Sequence, residues 1–364
     1  MTAKIDTSPC PAPGWLPGGN LQTLYGALAA RHHVISFVRD RVDTPDGDFI
    51  DFDWSGPGLF TDRLASGESA QAHPGLAATN ARRWMQQDDW KSLSHTPDTP
   101  ALVLLHGLEG SSRSHYAQSI AQHFRARGWI VVVAHFRGCS GFPNRMARAY
   151  YSGDTAEIDF ILSTVKKRVP HARWHAVGTS LGGNALLKFL GEAGHQASDR
   201  VVCAATVSVP IDLVACGNYL SDTFIGRQIY SRYFLRSMRK KMQEKARRFP
   251  GTIDIYRLTH ARTLREFDNA YTAPMHGYKN ALDYWTRASS KPLLASIEIP
   301  TLVLNARNDP FVPEACLPGS ADASPHVVLH QPAEGGHASF VSGPFPGYLT
   351  WLPARLAQFF ETGL

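Results

Sequence analysis

After residue 100 the chain is punctuated by six short apolar runs: 101–105 (ALVLL), 129–134 (WIVVVA), 174–178 (WHAVG), 201–209 (VVCAATVSV), 301–306 (TLVLNA) and 326–330 (HVVLH). They lack the strict apolar–polar alternation of a strand with one wet face, and continuous runs of this kind mark strands buried on both faces. The early runs are separated by stretches of helical length, such as SHYAQSIAQHFRARG and DTAEIDFILSTVKKR. Strands alternating with helices predict an α/β fold with a mostly parallel sheet covered on both faces. Ligands of such sheets bind beyond the carboxyl ends of the strands, which is where reactive residues are to be sought.

Outside this core the pattern changes. VISFVRDRVDTPDGDFIDFDW reads as two strands around the turn residues Pro45-Asp46-Gly47-Asp48, so an antiparallel hairpin is expected near the N-terminus. A Gly- and Pro-punctuated lead-in, WLPGGNLQTLY, precedes it. Residues 58–98 are polar and Ala/Ser-rich and read as a surface excursion, with a short helix expected near residues 82–90. Between residues 213 and 295 the strand–helix alternation stops, and helical segments flank a Phe249-Pro250-Gly251 break. That stretch is too long for an ordinary crossover and is expected to lie over the strand ends as a cap or lid inserted into one domain spanning residues 1–364.

Composition narrows the class further. The 364 residues, 43% of them hydrophobic, are enough for a large core. No run approaches the ~18 apolar residues of a membrane span, and the opening MTAKIDTSPCPAPGW has no secretory apolar region. The five cysteines, Cys10, Cys139, Cys203, Cys216 and Cys316, are scattered without C-x-x-C spacing. This argues against a disulfide framework or a cysteine-built zinc site, and a reducing, cytoplasmic setting is expected. The net charge of +6 is concentrated: residues 227–248 hold nine basic residues and one acid, Glu244. Without aromatic interleaving of the RNA-binding type, nucleic acid is not an expected partner. A solvated helix face is the first reading of this segment, and peripheral attraction to an anionic membrane or substrate is the second.

The chemistry starts at WHAVGTSLGGNALLKFL. Gly178-Thr179-Ser180-Leu181-Gly182 has the G-x-S-x-G form between a strand and a helical pattern, the context of a nucleophile elbow. Such a turn exposes the Ser180 hydroxyl and aims helix-terminal amides at the same point. A serine needs a base oriented by a carboxylate, in the chain order Ser, Asp, His. Asp309, after the run at 301–306, and His337, in a Gly-rich loop after the last run, satisfy that order at strand ends. Asp212 is the alternative acid. His106 is a competing histidine, but it precedes the serine and adjoins the turn where an oxyanion donor belongs. The donors expected are the main-chain N–H groups of Leu181 and Leu108. Glu109 beside Leu108 is expected to be structural, and the tight Arg137-Gly138 loop is expected to shape the pocket rather than react. No metal or organic cofactor is needed for this chemistry.

The set HGLEGSS, HFRGCSGFPNR, YYSGDTAEIDF, GTSLGGNALLKFLGE, ARNDPFVP and GGHASFV, with NLQTL, PDGDFIDFDW and MHGYKNALDYW, resembles the YheT-like branch of the α/β-hydrolases. The resemblance covers nearly the whole chain apart from residues 58–98. It implies an α/β-hydrolase fold and a Ser180–Asp309–His337 triad acting on small-molecule or lipid carboxylic esters of short to medium acyl length. Two alternatives are weighed: an acyltransferase that uses the same triad to pass the acyl group to an alcohol, and a non-catalytic binding protein on the same scaffold, against which the intact Ser, Asp and His argue.

Overall fold

The computed structural model describes residues 2–30, 34–59, 74–93 and 95–364. The part of the 58–98 excursion at residues 60–73 and 94 lies outside the described residues.

Among the described residues ten strands form one sheet. In chain order they are β1 (Lys4–Asp6), β2 (Phe37–Asp43), β3 (Phe49–Ser55), β4 (Ala81–Trp84), β5 (Pro100–Leu105), β6 (Ile130–His135), β7 (Arg173–Thr179), β8 (Cys203–Val207), β9 (Thr301–Leu304) and β10 (Val327–His330). Across the sheet the order is β1-β10-β9-β8-β7-β5-β6-β3-β2-β4. From β1 to β6 every neighbour is parallel, and the hairpin β2–β3 joins antiparallel to β6 with Asp51 opposite His135. All six apolar runs are strands of the parallel part.

The reason for their continuous hydrophobicity is visible in the packing. Along β5, Ala101, Val103 and Leu105 enter one core, whereas Leu102 and Leu104 enter the other. The first core is closed by Ile158, Ile161 and Leu162 of the helix Thr155–Arg168 and by Leu186 and Leu190 of the helix Leu181–Ala193. The second is closed by Ile120 and Phe124 of His115–Ala126 and by Leu352, Leu356 and Phe359 of Trp351–Thr362. With water excluded from both faces, each pleat position contributes burial at ~25 cal/mol per Å² of apolar surface.

Two edge strands depart from expectation. The segment near residues 82–90 is not one helix: Ala81–Trp84 is β4, parallel to β2, and the helix Gln87–Ser92 follows it. Arg83 can enter the buried side of that strand because its Nη2 donates to Asp89 Oδ1 at 2.7 Å. At the opposite edge, β1 carries Asp6, which accepts from Arg355 Nη2 at 2.6 Å.

Residues 213–288 are mostly helical and stand at the carboxyl edge of the sheet, from Leu213–Asp222 through Arg232–Arg248 to Ala281–Ala288, while the 3₁₀ turn Lys291–Ser296 packs back on the helix Leu181–Ala193 ahead of β9. Two π-helical turns, Gly226–Ser231 and Asp268–Thr272, interrupt them. Among the described residues no helix is long and apolar enough to cross a membrane.

Candidate active site

Ser180 follows β7 directly and opens the helix Leu181–Ala193. Its backbone sits at φ 52°, ψ −121°, a region that costs a non-glycine residue ~1–3 kcal/mol. The neighbours show why the turn is glycine-rich. A Cβ on Gly182 would meet His106 O at 2.5 Å, and one on Gly178 would meet Gly183 Cα at 2.6 Å. The Ser180 N–H donates to Val207 O at 2.8 Å, which pins the turn to β8.

Asp309 and His337 arrive from the loops after β9 and β10. His337 Nδ1–H donates to Asp309 Oδ2 at 2.9 Å, and His337 Nε2 lies 3.0 Å from Ser180 Oγ, positioned to accept its proton. Asp309 and His337 are buried, while Ser180 is half-buried. The Phe311 ring stacks on the imidazole with centroids 4.1 Å apart. All three expected residues therefore meet in one hydrogen-bonded chain.

The alternatives are placed elsewhere. Asp212 caps the helix Leu213–Asp222 by accepting from Ala215 N at 3.0 Å. His106 is buried in the loop after β5: Nδ1–H donates to Gly107 O at 2.8 Å and Nε2 accepts from Phe136 N at 3.1 Å. Burial, reinforced by His135, pushes its pKa down to about 3, so it is neutral and locked in one tautomer.

The loop that carries Leu108 is held by side chains that leave the Leu108 amide alone. Gly107 N–H donates to Tyr116 Oη at 2.8 Å, and Glu109 N–H donates to Tyr150 Oη at 2.8 Å. Glu109 Oε1 accepts from Tyr150 Oη at 3.0 Å and from Lys241 Nζ at 2.9 Å, tying this loop to the helix Arg232–Arg248. A Cβ on Gly107 would stand 3.0 Å from Ser180 Cβ, so the loop abuts the serine. Leu181 is the first residue of its helix, where an N–H has no intrahelical acceptor. Arg137, after β6, is held by Glu157 at 2.6 Å, Asp46 at 2.7 Å and Asp48 at 3.1 Å, and it borders the cavity above Ser180.

The residues that brace Asp309 and His337 lie outside the motifs that carry these two. From the helix Gly19–Leu28, buried Gln22 accepts from Asn308 Nδ2 and from Gly335 N at 3.0 Å each. The Gln22 amide group donates to Leu16 O at 3.1 Å and Glu334 Oε2 at 3.0 Å. Next to it, Thr23 Oγ1 accepts the His337 N–H at 2.8 Å. Just past β8, Ser208 Oγ accepts the Ala338 N–H at 2.8 Å. NLQTL is therefore a clamp on both loops. Its motif was visible, but its partners are ~300 residues away.

Above Ser180 lies a cavity of about 410 Å³ lined by Ser180, His337, Leu108 and Leu181 together with the helices between residues 213 and 288. Leu213, Leu220, Phe234, Met238, Met242 and Phe267 make much of its wall apolar.

Comparison with known proteins agrees with this architecture. The profile of the alpha/beta hydrolase fold family matches residues 100–344. The chain belongs to the α/β-hydrolases. Within that family it is similar to "Putative esterase YheT" of Escherichia coli (strain K12), at 35% identity over 347 residues, 95% of this chain and 91% of the relative. This hydrolase is also similar to "Monoacylglycerol lipase" of Saccharomyces cerevisiae (strain ATCC 204508 / S288c), at 29% identity over 90% of the chain and 75% of the relative. Among solved structures, "The structure of DcsB complex with its substrate analogue" superposes with a TM-score of 0.52 at 13% identity. That match spans 90% of this chain and 99% of the other, a likeness of fold alone.

Proposed function

We propose that this α/β-hydrolase cleaves carboxylic esters through an acyl-enzyme on Ser180. The observation that carries the proposal is the chain Ser180 Oγ–His337–Asp309, at 3.0 and 2.9 Å, opening into an apolar cavity. His337 Nε2 takes the Ser180 proton as Oγ bonds to the ester carbonyl carbon, and the π electrons move onto the carbonyl oxygen. The N–H groups of Leu108 and Leu181 receive that oxyanion, a contribution of ~10²–10³ in rate per donor in such sites. Collapse of the intermediate breaks the bond to the alcohol oxygen, which leaves with the proton from His337. Water then repeats the sequence on the acyl-enzyme and frees the acid. Asp309 holds Nδ1 protonated, so that Nε2 presents its lone pair, and stabilises the imidazolium.

The helical stretch over the strand ends serves as a lid in this reading, and its apolar wall takes the acyl chain. The two relatives, named an esterase and a monoacylglycerol lipase, support the same chemistry. Ser180→Ala is expected to abolish turnover of p-nitrophenyl esters while leaving thermal unfolding unchanged; substantial remaining turnover overturns the assignment. A chain-length series from acetate upward is expected to peak at medium chains. A maximum at acetate refutes the acyl-chain role of the cavity.

A further inference from the structure

The helices over the cavity have a second face. In the helices Leu213–Asp222 and Arg232–Arg248 and the turn Gly226–Ser231 between them, the inward side chains Cys216, Leu220, Tyr230, Leu235 and Met242 are buried. A segment that packs on one side ordinarily turns polar groups outward. Here the outward positions include Tyr219, Phe224, Ile225, Ile229 and Tyr233, with Phe224 78% and Tyr233 72% exposed. Interleaved with them are the exposed cations Arg227, Arg232, Arg236 and Lys240, which form no ion pair among the described residues. Acids are few: Asp222 is bonded to Arg265 at 3.1 Å, and Glu244 stands at the far end.

We propose that this face docks on an anionic lipid surface. Exposed aromatic and branched side chains enter the interfacial layer while guanidinium and ammonium groups meet lipid phosphates, the division of labour of an interfacial helix. A second copy of the chain is a poor occupant. A two-fold contact sets the same patch against itself and brings its cations face to face. The position also fits the ester chemistry: Ser237, Met238 and Lys240 of the same helix line the cavity, so docking brings the cavity beside the lipid. The inference rests on the ester-hydrolase reading for what enters the cavity, though not for the docking itself.

The test uses full-length Ser180→Ala protein, so that binding is read without turnover. Vesicles of phosphatidylcholine with phosphatidylglycerol are expected to co-sediment the protein, whereas pure phosphatidylcholine vesicles leave it in solution, and added salt weakens the binding. Phe224→Ser with Tyr233→Ser is expected to lower the partition coefficient at least tenfold. Arg227→Ser with Arg232→Ser and Arg236→Ser is expected to lower it roughly a hundredfold, about fivefold per basic residue. The same substitutions in the active protein are expected to keep wild-type turnover of a dissolved p-nitrophenyl ester, which controls for folding. No binding to anionic vesicles, equal binding to neutral ones, or variants that bind like their parent overturns the proposal. A dimer in sedimentation equilibrium that the same variants dissolve also overturns it. Loss of all esterase activity in the wild type would sink the catalytic reading and leave the vesicle result standing.

Discussion

Replacing Gln22 by alanine is expected to uncouple the acid and the base from the serine. The side chain is 1% exposed and makes four hydrogen bonds, to Leu16 O, Glu334 Oε2, Asn308 Nδ2 and Gly335 N. Truncation leaves Gly335 N–H and Leu16 O buried without a partner and half-strands Asn308. At roughly 1 kcal/mol or more for each orphaned group, the loss of stability is about 3 kcal/mol. In a chain of this size that corresponds to a fall in Tm of ~6 °C, at roughly 2 °C per kcal/mol. The kinetic effect is the sharper one. Asn308 precedes Asp309, and Gly335 lies two residues before His337, so both loops lose one anchor. A misplacement approaching 1 Å in such a constellation costs on the order of 10²-fold. We expect kcat on p-nitrophenyl butyrate to fall by ~10–100-fold with KM changed by no more than about threefold, because Gln22 does not line the cavity. Kinetics well below Tm, paired with thermal unfolding, separate the two effects. A kcat within about twofold of wild type despite the fall in Tm would refute the argument, since the loops would then hold their geometry without Gln22.

The remaining predictions are independent of that one. Asp309→Asn is expected to lower kcat/KM by about four orders of magnitude through the wrong imidazole tautomer. Asp212→Ala is expected to cost only ~1 kcal/mol of cap stability with turnover kept within about threefold; equal losses in these two kinetic assays would revive Asp212 as the acid. Gly182→Ala places its methyl group 2.5 Å from His106 O and is expected to abolish soluble expression or lower Tm sharply; a protein with wild-type Tm contradicts the elbow packing. Burial holds His106 at about 3, and His175 and His276 at about 4, against an ordinary value near 6.5. These are bases whose folded-state pKa is depressed, so the unfolded chain takes up protons first and stability is lost as pH falls below 6.5. Over pH 7.5 to 5.5 each histidine costs on the order of 1 kcal/mol, against which Glu157, raised by burial to about 7, and Asp268, raised to about 6, bind protons in the folded state and offset part of the loss; the fall of the urea midpoint with pH is expected to be smaller in His175→Phe than in wild type, and an unchanged fall contradicts it.

The parallel sheet was legible because its strands are apolar on both faces, a pattern that survives without knowing their neighbours. The meeting of Ser180, Asp309 and His337 in one hydrogen-bonded chain was legible because a serine elbow fixes what is to be sought after it and roughly where. Edge strands were not. β1 and β4 span three and four residues and carry Lys4, Asp6, Arg82 and Arg83, a composition that reads as solvent-exposed. They are strands because Arg355 and Asp89 supply the opposite charges, and those pairings are made by the tertiary fold. The eighth strand is shorter than its apolar run, since Ser208 turns out of it at φ 54° to hold the His337 loop. The π-helical turns at Gly226–Ser231 and Asp268–Thr272 left no readable period among the helices. Local pattern carries what one segment decides; the clamp by Gln22 and Thr23 is decided by segments some 300 residues apart.

The central claim, that Ser180 is an activated nucleophile, is tested most directly by intact-mass labelling with a fluorophosphonate at neutral pH, followed by peptide mapping. A single adduct on Ser180 is expected, formed as ester turnover is lost, with none on Ser180→Ala protein and slow labelling of His337→Ala. An unmodified wild-type chain, or an adduct on another residue, would contradict it.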